Sequence, residues 1–167
     1  MKTNKGSSSA FIFIIVGIIG LVILTYYLVS TKSVPSFDDY VQQNSSKLST
    51  ISVGAPNGTI NTFVATSSDD QELGLGGRDS ISKQEGMIFA FPDSASRGFW
   101  MQDMLFPIDI VWIREDKTVA SVTSGIATST YPDIFFPTEP VMYVLELNAG
   151  SAKDFGIATG TPLQFVI

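Results

Sequence analysis

The chain has 167 residues, a formal net charge of −6, 44% hydrophobic residues, and neither cysteine nor histidine. That composition leaves room for one domain plus a further segment, and it excludes disulfides, thiolate chemistry, histidine general bases and the usual zinc sites. From Ile60 onward six Lys and Arg face fourteen Asp and Glu, a net −8, which excludes a phosphate-neutralising nucleic-acid surface and opposes flat binding to anionic lipid.

Residues 1–9 form a short tail carrying Lys2 and Lys5, and Ala10 to Val29 follows as twenty residues without a charge. At about 1.5 Å per residue that stretch spans the roughly 30 Å hydrocarbon core of a bilayer. It is longer than the apolar region of a signal peptide, and no small-x-small site follows it, so an uncleaved signal-anchor is expected. Secretion after signal-peptide cleavage is the alternative. Tyr26 and Tyr27 suit the headgroup region, and the lysines before the span place the N-terminus in the cytoplasm. The expectation is a single-pass cell-membrane protein with everything after Ser30 outside.

Residues 30–47 are polar and predict a linker, in which Phe37, Tyr40 and Val41 have only a weak helical spacing. Residues 48–167 predict a small β-rich domain. Leu48 to Val53 suits a first strand, with turn residues Gly54, Pro56, Asn57 and Gly58 behind it. Thr59 to Ala65 is β-branched and aromatic, as strands are. Ser68 to Gln71 has the pattern of a capping box with Ser68 as N-cap, opening a short helix to about Leu75 that Gly74, Gly76 and Gly77 end.

Gly86 to Ile113, GMIFAFPDSASRGFWMQDMLFPIDIVWI, is the densest apolar stretch of the domain and holds both tryptophans. Three strand-like runs, Met87 to Phe91, Gly98 to Met101 and Ile108 to Ile113, are parted by PDSASR and a turn at Pro107. Arg114 to Lys117 forms a charged turn, and Thr118 to Thr123 returns as the second strand of a hairpin. Ser124 to Pro140 has little periodicity and three prolines, so it is expected to be a long loop, a lid or a partner-binding segment carrying Tyr131, Phe135 and Phe136. Val141 to Leu147 alternates, with Val141, Tyr143, Leu145 and Leu147 on one face. Ser151 to Asp154 suggests a second short helix, and Thr161 to Ile167 a final strand.

These blocks carry a resemblance. ELGLGGRDSI, GMIFAF, FWMQDM, FPIDIVWI and YVLELNAG, in that order from about Ile60 to the C-terminus, are similar to the uncharacterised family known as domain of unknown function 192. Its usual pattern has a bulky residue where Gly76 stands, an Asn where Asp103 stands and often a Gly where Lys117 stands. The resemblance implies a small β-rich domain and carries over no catalytic residue. The expected fold is mainly β or α+β: a compact, barrel-like antiparallel domain of seven to eight short strands and two short helices, behind one transmembrane helix.

The chemistry left to the domain is that of carboxylates, hydroxyls, lysines and tyrosines. Asp109 lies in a strand apolar on both faces, so burial is expected, and with it an ion pair, several N–H bonds or a raised pKa. It could tie a loop near Trp100 to Asp103. Arg78 either caps the preceding helix or reaches Asp109 or Glu146 with its planar fork. Trp100 suits core packing or the wall of an apolar pocket that Tyr131, Phe135 and Phe136 close. The expected ligand-binding set is therefore Arg78, Trp100, Asp103, Asp109, Tyr131 and Glu146, with no cofactor and no metal, since there is no EF-hand-like loop. A small molecule or a cell-envelope partner is the expected target. The rival is a hydrolase acting on cell-envelope carbohydrate, with Asp109 and Glu146 as its carboxylates.

Overall fold

The computed structural model describes Ser36 and residues 48–167. The chain divides after Ser36 into two units, and every element below lies in the second. The expected span Ala10 to Val29 and the linker fall outside the described residues; within them no helix is long and apolar enough to cross a membrane.

Eight strands and two short α-helices make up the described residues: β1 (Thr50–Ala55), β2 (Gly58–Ala65), α1 (Ser68–Leu73), β3 (Glu85–Ala95), β4 (Phe99–Trp100), β5 (Ile108–Ile113), β6 (Val119–Ile126), β7 (Ile134–Phe135), β8 (Val141–Asn148) and α2 (Ser151–Asp154). Six of the strands form one sheet in the order β1-β2-β3-β8-β5-β6, and β4 pairs with β7 in a separate ribbon. The sheet is mixed, because β2 and β3 run parallel while the other pairs are antiparallel. A parallel pair needs a crossover, and α1 supplies it.

The sheet does not close into a barrel. The expected last strand is reduced to two isolated bridges, Gly54 to Gln164 and Thr118 to Pro162, which lean the C-terminal segment against both ends of the sheet without continuing it. Pro162 has no N–H to give a ladder. Two other expectations change for similar local reasons. β3 runs on to Ala95, past the turn expected at PDSASR, because a register break between Ala90 and Ala95 absorbs Pro92. That break also shifts Val141 out of alternation, so it joins Val144 in one core cluster while Tyr143, Leu145 and Leu147 face the other.

Each face of the sheet buries its own core. One gathers Met87, Phe89, Ile110, Trp112 and Leu75; the other gathers Ile60, Ile88, Val111, Leu145 and Leu147. β5 lies between them and is buried at all six positions, as its unbroken apolar run requires. Trp112 satisfies its buried indole N–H on Thr123 Oγ1 at 2.9 Å.

Helix α1 starts one residue earlier than its pattern suggested. Ser67, not Ser68, is the N-cap and accepts the Asp70 N–H at 3.2 Å, while Gln71 spends its amide on the carbonyls of Ala65 and Ala90. Gln71 thereby ties the helix to β2 and β3. Gly74 then ends the helix at φ +54° and ψ −132°, a combination that side chains with a Cβ avoid.

The long connection after β6 is more ordered than its sequence suggested. β6 extends to Ile126, a 3-10 turn covers Thr128–Thr130, and β7 pairs Phe135 with Phe99 and Ile134 with Trp100. An ion pair between Arg114 and Glu139 anchors its far end.

The three departures from the family pattern acquire structural meaning. Asp103 and Lys117 have φ of +56° and +67°, and they are the positive-φ residues other than glycine among those described. Asn and Gly are the residue types that enter that region at least cost. At Gly76 an added Cβ would lie 2.9 Å from the Leu73 carbonyl oxygen, so here the turn closes more tightly than a bulky residue permits.

Candidate functional site

A cavity of about 250 Å³ opens where α1 and its glycine turn meet the first core face. Leu73, Gly74 and Leu75 form one side, Phe89 and Phe91 of β3 another, and Phe99, Trp100 and Met104 a third. Its polar edge consists of Gln71, Glu72, Arg97 and Gln102. The walls are held by stacking: Phe99 meets Phe89 edge-on at 4.9 Å and Trp112 at 5.5 Å between ring centroids. The β4–β7 ribbon braces that wall from outside and leaves Trp100 44% exposed at the cavity edge.

Glu146 of β8 is the cavity's buried polar group. It is 4% exposed, and among the described residues its Oε2 has no hydrogen-bond partner. Burial pushes its carboxyl up to about 8, while a backbone hydrogen bond from Leu75 pulls the other way. Near neutral pH the group therefore carries its proton. Gly74 packs beside Oε2, for a Cβ built there would lie in van der Waals contact with that oxygen at 3.6 Å and with Phe89 Cζ at 3.4 Å. Gly86 seats the strand that carries it: a Cβ on Gly86 would fall 2.6 Å from the Glu146 carbonyl oxygen, so only glycine lets β3 and β8 pack this closely.

Of the residues expected at a site, the cavity brings together Trp100 and Glu146. Asp109 is fully buried, but its oxygens are occupied: Oδ1 accepts the Gly125 N–H at 2.8 Å, and Oδ2 accepts those of Gly150 at 2.9 Å and Ala152 at 3.1 Å. It does tie loops, though at the start of α2 and in β6 rather than near Trp100 to Asp103. Arg78 reaches neither carboxylate. Its guanidinium lies 4.6 Å over the Phe63 ring, and burial lowers its pKa against the opposing influence of Glu85. Asp103 sits in the turn after β4, its carbonyl accepting from Gly77 at 2.8 Å. Tyr131 is half exposed beyond the 3-10 turn and does not line the cavity.

The register also separates the two carboxylates proposed for hydrolysis. Asp109 pairs with Leu147 and Glu146 with Ile110, so the two side chains leave opposite faces of the sheet and do not converge on one substrate. No group of acidic side chains among the described residues is arranged to hold a metal ion.

The sequence reading missed Phe89, Phe91, Leu75 and Arg97. The aromatics were indistinguishable from core residues because they also pack in the core. Arg97 had a signal, as one of two opposite charges between two apolar runs, but its role depends on pairing with the other, Asp93, four residues back, which turn patterning does not reveal.

Residues 50–165 match the model of the family described as an uncharacterised ACR, domain of unknown function 192. Among solved structures, a proposed transcription regulator from Sinorhizobium meliloti is 28% identical, with a TM-score of 0.66 over 71% of this chain and 95% of that one. A protein of unknown function from Novosphingobium aromaticivorans is 29% identical, with a TM-score of 0.60 over 70% of this chain and 84% of that one. No curated protein matches.

Proposed function

We propose that this chain, which belongs to the uncharacterised family of domain of unknown function 192, is a membrane-anchored binding module that presents the Glu146 cavity outside the cytoplasm. One observation carries the binding reading: a carboxyl side chain lining an aromatic-walled cavity has a buried oxygen with no partner among the described residues. Leaving such a group unsatisfied costs on the order of 1–3 kcal/mol. A ligand that supplies the missing hydrogen bond would recover that cost, and a concave apolar site with a few polar groups is the usual form of a small-molecule pocket. The volume suits a fragment-sized molecule, since it equals the liquid volume of about eight waters.

The anchor and topology rest on the charge-free run Ala10 to Val29 and on Lys2 and Lys5 ahead of it. Alkaline phosphatase and green fluorescent protein fused after Ile167 test that part. Phosphatase activity with dark fluorescent fusions is the expected result, and fluorescence without phosphatase activity would overturn it. The cavity is tested by adding small aromatic fragments to residues 48–167 and following tryptophan fluorescence. A saturable change that Trp100→Ala abolishes is expected; no saturable change for any aromatic fragment at millimolar concentration would refute the binding reading.

A further inference from the structure

We propose that the cavity takes a small organic cation, a protonated amine whose N–H groups donate to Glu146 Oε2 while its apolar body lies against Phe89, Phe91 and Trp100. This deepens the binding reading above and rests on it. Three observations separate a cation from other ligands of the same size.

The first is the acceptor. Oε2 is buried, belongs to a side chain that lines the cavity and has no partner among the described residues. An ammonium group brings both the donor that this oxygen lacks and the charge that lets the carboxylate ionise in a dry site.

The second is the wall. The rings of Phe89, Phe91, Phe99 and Trp100 line the cavity, and desolvated cations are drawn to the faces of aromatic rings.

The third concerns anions. Arg97 is the one basic side chain lining the cavity among the described residues, and it is already committed. Its Nη1 donates to the Asp93 carbonyl at 2.9 Å, its Nη2 to Asp93 Oδ1 at 2.5 Å, and its plane lies 4.2 Å over Phe91. An anion entering would meet the Glu72 carboxylate at the edge and find no free cation at the base among the described residues. The domain's net −8 from Ile60 onward further enriches cations around it.

Cation binding has a signature that neutral binding lacks. The carboxyl holds its proton near pH 7, so an ammonium must displace that proton to pair with it. The titratable groups facing Glu146 across the cavity are Glu72 from α1 and Arg97 from the turn before β4; on the flanking strands its register partners are Met87 and Ile110, which do not titrate. Amine affinity should therefore rise about tenfold per pH unit below the Glu146 titration, with about one proton released per ligand.

The experiment uses residues 48–167, because the Sinorhizobium meliloti likeness takes in 95% of that chain but only 71% of this one, so the fold stands without the N-terminal third. The probes are 2-phenylethylamine and n-hexylamine against their neutral counterparts 2-phenylethanol and n-hexanol, titrated by calorimetry from pH 6 to 8.5 in buffers of differing ionisation heat. The expected result is at least tenfold tighter amine binding at pH 8.5, tightening with pH, and proton release at pH 7. In Glu146→Gln the amine preference is lost while the alcohols still bind. Alcohols binding as tightly as amines, with no proton release, would overturn the cation class and leave the pocket standing. Binding by none of the four would overturn both. The pH profile of the unaltered protein decides the matter if Glu146→Gln does not fold.

Discussion

Asp109 and Glu146 lie one register step apart on neighbouring strands, both buried and facing opposite sides of one sheet. One carboxylate receives three backbone N–H groups; the other has an oxygen that receives none among the described residues. Burial alone therefore does not distinguish a structural carboxylate from a candidate binding group. The hydrogen-bond account does, because a buried polar group left unsatisfied is a cost the fold bears without return. On the Asp109 side the sheet is stitched to α2 and β6, and on the Glu146 side it opens into a cavity.

The largest expected effect breaks the Asp109 side. Asp109→Asn replaces one acceptor oxygen by an amide that points at a backbone N–H, so it should lower unfolding free energy by about 3 kcal/mol in a urea titration. A loss below about 1 kcal/mol would mean that the three N–H bonds do not hold α2 in place.

Glu146 should behave in the opposite sense, and with pH. Its folded-state value of about 8 lies above the ordinary 4.5, so between those limits the unfolded chain has lost a proton that the folded chain retains. Stability then falls as pH rises, by at most about 1.4 kcal/mol per unit, and levels off above the folded value. Glu146→Gln removes that dependence. From pH 5 to pH 8 the variant should gain on the parent by about 2 kcal/mol, after allowance for relaxation and water entry. An equal difference at both pH values would contradict the protonated state.

Trp100→Ala sharpens the comparison at the cavity edge. Because the ring is 44% exposed, stability should change by less than about 1 kcal/mol in thermal unfolding, while affinity for any aromatic fragment falls about tenfold. The smallest effect belongs to Asp103→Asn, where φ of +56° favours the amide and a gain of about 0.3 kcal/mol is expected. That change lies outside both sides of the comparison and serves as its baseline.

Much of the sheet was legible from residue patterns. The unbroken apolar run Ile108 to Ile113 announced a strand buried on both faces, and Tyr143 to Leu147 announced its neighbour. The parallel pairing of β2 with β3 was not legible, because pairing direction depends on where α1 lets the chain return. Register breaks at Ala90 to Ala95 and the two bridges of the last segment were hidden for a related reason: each depends on a long-range partner. At the site, Glu146 and Trp100 were found as residue types, but Asp109 was expected beside them. The sign that separates them is which face a side chain takes relative to a neighbouring strand, and that is a property of register. Asp103 and Lys117 carried a further readable signal, since the family's Asn and Gly at those positions pointed to left-handed backbone.

The central claim is that Glu146 is a buried, protonated carboxyl in the lining of a cavity, and the most direct test is its own titration. Residues 48–167 labelled with 13C at the glutamate carboxyl would be followed by NMR from pH 4 to 10, with Glu146→Gln to assign the signal. The account predicts a midpoint near 8 for Glu146, well apart from the other glutamates. A midpoint at or below about 5, within the ordinary carboxylate range, would show that the oxygen is already satisfied by water or protein, and the cavity would lose the group on which the binding proposal stands.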